Sequence, residues 1–301
     1  MASKGVRPVL SADLRKKETK LRRILEGYGR VMVAYSGGTD STLLLFEALS
    51  TLGADHVVAV TATSEIYSSH ETKRARALCK RFKVEHLLLE MASLRNRTFC
   101  ANDSERCYHC KKGLLIQLIG LAKKRGIEAV LEASQVDDRS DFRPGAKAVT
   151  EYKVKSPLQE AGLNKDEVRR LSRIHGLPTA DLPAAACLAS RIPYGTRITK
   201  ELLARIDQGE DGVRALGFRR FRLRHHGTMA RLEFDPQEME RAFRFRKALV
   251  ERIEALGWIY VALDLRGYRQ GSLNETVRKR STRAGRASTR NSTRKGGRIP
   301  G

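Results

Sequence analysis

Cys107 and Cys110 stand three residues apart in ERCYHCKK, residues 105–112, with Arg106, Lys111 and Lys112 around them. Two thiolates at that spacing suit a zinc knuckle, a redox dithiol, an iron–sulfur cluster or a sulfur donor. A zinc knuckle takes four ligands, and no second CxxC exists in the chain. A dithiol opening a helix beside two lysines is expected to have depressed thiol pKa values, which keeps redox chemistry open. Of the other cysteines, Cys79 falls on the apolar side of ETKRARALCKRF with Leu78 and Phe82 and reads as core. Cys100, in RTFCANDS, reads as a loop residue.

A second group of chemically capable residues lies upstream. VMVAYSGGTDSTLLL, residues 31–45, joins an apolar strand to an amphipathic helix through Ser36, Gly37, Gly38, Thr39, Asp40 and Ser41. Paired glycines let the backbone approach an anion, while loop N–H groups and the helix N-terminus supply positive potential and the hydroxyls add donors. A pyrophosphate fits there. The loop ends in no GK[ST], so it is not a Walker loop, and it is not a GxGxxG dinucleotide turn.

The elements that position these residues follow from periodicity. Between Val31 and Ser134, apolar runs (VMVAY, HVVAVTAT, VEHLLLEM, AVLEAS) alternate with helical segments (STLLLFEALSTLG, ETKRARALCKRF, KKGLLIQLIGLAKKRG). That alternation predicts an α/β domain with a doubly wound parallel sheet, with Gly53 and Gly126 ending helices. NKDEVRRLSRIHG reads as a helix capped by Asn164 and stopped by Gly176. A Pro-containing connector, residues 177–196, follows. From Lys200 the pattern becomes helix, strand (RRFRLRHH), strand (MARLEF), one long helix from Pro236 to Leu256, and strand (WIYVALDL). This predicts a second, smaller α+β domain. The expected division is 1–185, 186–277 and a tail, 278–301.

Composition bounds what such a protein does. The 301 residues carry a formal net charge of +24 and 41% hydrophobic residues. Nine cations and no acid lie in the tail 278–301, which reads as disordered, leaving +15 on the remainder. A polyanionic or nucleotide partner is compatible with that charge. Five cysteines do not make a secreted disulfide scaffold. The sequence shows no signal peptide or membrane span, so a cytoplasmic location is expected.

SGGTDS resembles the nucleotide loop of the PP-loop ATP pyrophosphatases, which adenylate a substrate and release pyrophosphate. That resemblance implies ATP as cosubstrate and Asp40 as the holder of Mg²⁺ on the departing pyrophosphate. Three further stretches, RCYHCKK, AACLASRIPYGT (185–196) and VALDLRGYRQGSLNE (261–275), together resemble the LarE-type sulfur transferases. DFRPG (141–145) and SPLQEAGLNKDEVR (156–169) fit the same pattern. The resemblance runs from about Val31 to Glu275. It implies adenylation of the carboxylates of pyridinium-3,5-biscarboxylic acid mononucleotide and replacement of oxygen by sulfur, toward the nickel-pincer nucleotide, with Cys187 of CLASR as the sulfur-bearing residue. One stretch departs: in place of an Asp-Gly-Thr-Asn type segment the chain has Glu132, Ala133, Ser134 and Gln135.

Members of that family use either a sacrificed cysteine, which becomes dehydroalanine, or a [4Fe–4S] cluster on three cysteines. Cys107, Cys110 and Cys187 match the latter, and three thiolates leave one iron of a cubane free for an extra sulfide. Arg222 and Arg224 alternate along RRFRLRHH and share a strand face with His226, either solvated or, with Arg191, clamping the anionic groups of the substrate. His225 and His226 point to opposite faces and do not suggest a shared metal site. The expected partners are a small-molecule nucleotide substrate and a sulfide donor, with nucleic acid bound only nonspecifically through the tail, no membrane, and a homo-oligomeric state. A PP-loop tRNA thiolase, or a nucleic-acid-binding protein with a vestigial loop, are the competing readings.

Overall fold

The computed structural model describes residues 10–139, 144–183 and 185–269. Asp141, Phe142 and Arg143 of DFRPG, residues 270–275 of the last resembling stretch, and the basic tail lie outside them. The chain forms two compact units, one running to Ala189 and resuming at Tyr194–Asp211, the other made of Ser190–Pro193 and the residues from Gly212.

In the first unit, four parallel strands, β1 (Val31–Ala34), β2 (Val57–Thr63), β3 (Glu85–Glu90) and β4 (Ala129–Leu131), lie in the order β3-β2-β1-β4. The helices are α1 (Ala12–Glu26), α2 (Thr39–Leu52), α3 (Ser69–Phe82), α4 (Arg97–Ala101), α5 (Arg106–Lys124), α6 (Pro144–Glu151), α7 (Pro157–Glu160), α8 (Lys165–Ile174) and the start of α9 (Lys200–Ala215). Successive strand residues point to opposite faces, and each face has its own core. Val31, Val33, Val57 and Ala59 pack with Leu14, Leu21, Leu44, Leu78, Val168 and Leu171 from α1, α2, α3 and α8. Met32, Val58 and Val60 pack with Leu115, Leu118 and Ala148 from α5 and α6. Burial on both faces explains the near-continuous apolar runs of β1 and β2. The order reverses between β1 and β4, so the loop after β1 opens at the topological switch point, where ligands of doubly wound sheets bind.

Asn164 caps α8 as read, and Glu167 completes a capping box. The C-terminal end of α8 is fixed by a buried charge network. His175 Nε2 lies 2.7 Å from Glu18 Oε1 and 3.1 Å from Glu47 Oε1, and Arg22 Nε donates to Glu47 Oε2 at 2.9 Å. Hydrogen bonding to Glu47 raises the pKa of His175. Burial pushes the Glu47 carboxyl up, but His175 and Arg22 outweigh it and hold the group below the usual range. The network therefore stabilises most between about pH 4.5 and 6.5, the unfolded values of the two types. Its acid limb is lost as pH falls through the lowered Glu47 pKa, and its alkaline limb as pH rises through the raised His175 pKa. His175→Ala is expected to cost roughly 3 kcal/mol at pH 6, because it leaves buried carboxylates short of a cation, and distinctly less at pH 9. Urea unfolding of both proteins at the two pH values checks this; an equal gap at both removes the charge from the account.

The second unit holds β5 (Phe221–His226), β6 (Met229–Phe234) and β7 (Tyr260–Leu263) in the order β5-β6-β7. β5 and β6 are antiparallel, whereas β6 and β7 are parallel. The crossover is not the single helix expected over Pro236–Leu256. It is a 3₁₀ turn at Pro236–Glu238 followed by α10 (Met239–Arg244) and α11 (Arg246–Glu254). Phe245, at φ −85° and ψ 7°, breaks the run, and its ring sits edge-on to Phe218 with centroids 5.9 Å apart. The break lies at the surface, since Phe245 is 38% exposed.

The division between units differs from the boundary read at 185/186. Cys187 belongs to the first unit because the connector is bonded into it: Leu188 N donates to Ile66 O at 2.8 Å, Gly195 N to Asn102 O at 3.0 Å and Ile198 N to Cys100 O at 3.0 Å. Among the described residues, no helix is long and apolar enough to cross a membrane.

Candidate active site

The loop Ser36–Ser41 is preorganised by its own hydroxyls. Ser36 Oγ and Ser41 Oγ are 3.0 Å apart, Gly38 N donates to Ser36 Oγ at 3.3 Å, and Ser36 N donates to Ser41 Oγ at 3.3 Å. Thr39 Oγ1 donates to Thr179 O at 2.7 Å, so this hydroxyl is engaged within the fold. Gly37 has φ +70°, and a Cβ there would lie 3.1 Å from the Cα and Cβ of Ala75 on α3. Both the left-handed backbone and the close helix demand glycine. Gly38 is the N-cap of α2 without a side-chain cap, so the N-terminal N–H groups of a 14-residue helix remain oriented toward an anion. Arg74, on α3, donates from Nε to Gly37 O at 3.0 Å and places a guanidinium beside the loop.

Asp40, in the first turn of α2, is engaged by a residue that the motif did not reveal. Lys165 Nζ donates to Asp40 Oδ1 at 2.7 Å and Oδ2 at 2.6 Å. Each side chain is 29% exposed, so the pair is open to exchange with a bound cation. Lys165 is the first residue of α8, and the signal for it was its position next to the Asn164 cap in a stretch that already resembled the family.

After β4, the departing segment spends its polar groups internally. Glu132 Oε1 accepts from Ser134 N at 3.0 Å and from Ser156 Oγ at 2.5 Å, and Oε2 accepts from Ser134 Oγ at 2.9 Å and Lys111 Nζ at 3.2 Å. Burial raises the Glu132 pKa, but Lys111 and the two serines prevail and hold it low. Gln135 is bonded to Asp138 and to Asp137 N. The hydrogen-bonding capacity of Ser134 and Gln135 is thus used to fix the strand end.

Cys107, Cys110 and Cys187 come together within the first unit. Each thiol of the pair on α5 is influenced electrostatically by Cys187. Tyr67 donates its hydroxyl to Cys110, and Arg106 hydrogen-bonds Cys107. The thiol pKa values run opposite to the expectation from the helix start and lysines. Burial and the neighbouring sulfurs push Cys110 up to about 12. Burial, then Cys187, also raise Cys107 although that residue keeps an exposed surface. Lys111 and Lys112 contribute little because their ammonium groups turn to Glu132 and Glu151. Three crowded thiols of this kind are stabilised as thiolates by metal cations. The one group of three potential ligand atoms that converges within 4.8 Å among the described residues is Glu18, Glu47 and His175.

The remaining cysteines stay apart from this group. Cys79 is 1% exposed in the core between α3 and the sheet. Cys100 is not in a loop but buried in α4, its Sγ donating to Leu94 O at 3.2 Å.

In the second unit, Arg222 and Arg224 share a face of β5 with His226, and that face is not solvated. The two arginines are 8% and 6% exposed. Arg224 donates to Glu233 Oε2 at 2.9 Å and to Ser190 O at 2.9 Å. Arg222 stacks over Tyr268, 4.9 Å from the ring centroid. Arg191, also buried, donates to Ser190 Oγ at 3.1 Å, so the backbone beside Arg191 is held by Arg224. His225 Nδ1 accepts from Trp258 Nε1 at 3.2 Å, which assigns it to the core.

The family described as queuosine biosynthesis protein QueC matches residues 30–108, which hold the nucleotide loop. A pyridinium-3,5-bisthiocarboxylic acid mononucleotide synthase from Lactiplantibacillus plantarum is 35% identical over 268 residues, covering 89% of this chain and 97% of the relative. An uncharacterized protein from Synechocystis is 38% identical over 267 residues, covering 87% of this chain and 99% of the relative. A further uncharacterized protein, from Methanocaldococcus jannaschii, is 23% identical over 243 residues, covering 80% and 91%.

Proposed function

This chain belongs to the LarE-type ATP-dependent sulfurtransferases, relatives of pyridinium-3,5-bisthiocarboxylic acid mononucleotide synthase, and from that premise we propose that it inserts sulfur into a nucleotide-borne carboxylate in nickel-pincer nucleotide biosynthesis. The substrate is pyridinium-3,5-biscarboxylic acid mononucleotide. A carboxylate oxygen attacks the α-phosphorus of ATP, the bond to pyrophosphate breaks, and the resulting acyl-adenylate has AMP as its leaving group when sulfur attacks the acyl carbon. Ser36, Gly37, Gly38, Thr39 and Ser41 form the pyrophosphate cradle, with the α2 N-terminus directed at the departing charge. Asp40 is the carboxylate for Mg²⁺, which when bound would neutralise the leaving pyrophosphate. Arg191, Arg222 and Arg224 are assigned to the phosphate and carboxylates of the substrate, for which planar bidentate donors are suited.

The single observation that carries the sulfur chemistry is the grouping of Cys107, Cys110 and Cys187 in the unit that also holds the nucleotide loop. Soft thiolate donors, three in number, fit a [4Fe–4S] cluster with one iron left open. Such a cluster would supply transferable sulfide without consuming the chain. Sacrifice of Cys187 alone is the second reading; it leaves the grouping of the other two thiols without a role.

Cleavage is expected between the α and β phosphates, giving AMP and pyrophosphate in step with sulfur incorporation, since the cradle has no Walker lysine. Product analysis with the biscarboxylate mononucleotide, and in parallel with tRNA, tests both reaction and substrate. ADP and orthophosphate as products would remove the adenylation mechanism, and turnover with tRNA alone would make this chain a tRNA thiolase.

A further inference from the structure

Arg106 is 2% exposed, one of the largest side chains in the chain to be buried so completely. Burying a guanidinium costs more than burying an apolar side chain of like size, so its presence argues for geometry rather than stability. Its Nη1 donates to Asn102 Oδ1 at the end of α4 and to Ala189 O at 2.9 Å, two residues beyond Cys187. The guanidinium carbon lies 4.7 Å from the ring centroid of Tyr194, where the connector returns to this unit. Its hydrogen bond to the Cys107 thiol completes a set spread over four points of the chain. Asn102 reinforces the set, with Nδ2 donating to Thr196 O at 2.8 Å and its backbone O accepting from Gly195 N at 3.0 Å. A planar fork with five donors can bind several acceptors at once in fixed directions, which a lysine cannot.

We propose that Arg106 is the positioning residue that holds the Cys187 segment against the CxxC turn of α5, so that the three thiols form one site. The inference rests on the reading of those cysteines as the sulfur-transfer centre, but its content is their convergence, which can be measured without any cluster. Local chain geometry already fixes Cys107 and Cys110 relative to each other, three apart on one helix. Cys187 has no such covalent constraint, so its approach depends on noncovalent bonds along the connector: the backbone bond of Leu188 N to Ile66 O on one side, and on the other the bonds that Arg106 and Asn102 make.

The test uses the full-length, iron-free, reduced protein and dibromobimane, a short reagent that bridges two nearby thiols, with bridged peptides mapped by mass spectrometry. Wild type is expected to give bridges joining Cys187 to Cys107 or Cys110, besides the bridge within the CxxC. Arg106→Gln should lower the Cys187 bridges roughly tenfold relative to the Cys107–Cys110 bridge, the scale on which loss of a ligand-orienting partner acts. Arg106→Lys should recover part of that loss. Asn102→Gly is the second variant, because φ is +58° at this position and glycine keeps the backbone while removing the side-chain bonds. It should shift the same ratio in the same direction, and it decides the matter if Arg106→Gln does not fold.

Unchanged Cys187 bridging in the folded variants, or absence of such bridges in wild type, overturns the proposal. Iron content after anaerobic reconstitution separates it from the reading beneath it. Bridging that depends on Arg106 in a protein that never takes up iron retains the positioning role and sinks the cluster. Iron uptake with bridging indifferent to Arg106 does the reverse.

Discussion

Cys187→Ala should reduce sulfur transfer to background while leaving adenylation and pyrophosphate release intact, the AMP staying on the acyl carbon because no sulfur displaces it. The two activities separate because the nucleotide loop is built from Ser36–Ser41, locked by its own hydroxyls, and makes none of those bonds to the cysteines. Cys107→Ala and Cys110→Ala are expected to match Cys187→Ala, a loss of at least about a hundredfold each, and the triple variant should be no worse than any single one, as for residues that act as a unit. Anaerobically reconstituted wild type should hold about four irons per chain and show the broad visible absorption of a cubane, and each single variant should lose both. Cys79→Ala and Cys100→Ala should retain both, because the first thiol is core and the second is bonded to Leu94 O within α4. The sacrificial reading predicts a different pattern. A Cys107→Ala protein that transfers sulfur once and is left with dehydroalanine at position 187 would refute the cluster.

Much of this architecture is legible in the chain itself, for physical reasons that can be named. β1 and β2 are buried on both faces, so their apolar runs could not be mistaken for solvent-facing strands. The α8 boundary is written in Asn164 and Gly176 because caps are local chemistry. The Ser36–Ser41 loop is legible because a left-handed residue pressed against α3 leaves glycine as the one choice at position 37.

What the chain does not declare is set by long-range contacts. Phe245 interrupts a helical pattern with its ring edge-on to Phe218, a partner 27 residues earlier in sequence. Arg106 is buried and Lys165 is paired with Asp40 across 125 residues of sequence, and neither placement follows from a local pattern. The depressed thiol pKa values expected from Lys111 and Lys112 fail for the same reason. Charges adjacent in sequence point to Glu132 and Glu151, while sulfurs distant in sequence come close. Cys187 likewise sits with the nucleotide unit because of backbone bonds to Ile66, Asn102 and Cys100 along the connector, which no local pattern announces.

Asp40→Asn should lower Mg²⁺-dependent turnover by a factor of roughly 10²–10³, since metal stabilisation of a leaving oxyanion is worth several kcal/mol in the transition state. The substitution keeps size and removes charge, so the amide can still accept from Lys165 but cannot bind a hard cation comparably. Unfolding does not explain such a loss. The Asp40–Lys165 pair is partly exposed on both sides, and pairs of that kind contribute about 0–1 kcal/mol. Lys165→Gln provides the control: it removes the same ion pair and leaves the carboxylate in place, so it should keep the saturable Mg²⁺ dependence that Asp40→Asn loses. The measurement is pyrophosphate release against Mg²⁺ concentration for the three proteins, with thermal unfolding alongside. A wild-type Mg²⁺ curve for Asp40→Asn would move the metal to another ligand. Equal loss in both variants would instead make the ion pair itself the functional feature, with Lys165 rather than the cation meeting the charge that develops on pyrophosphate.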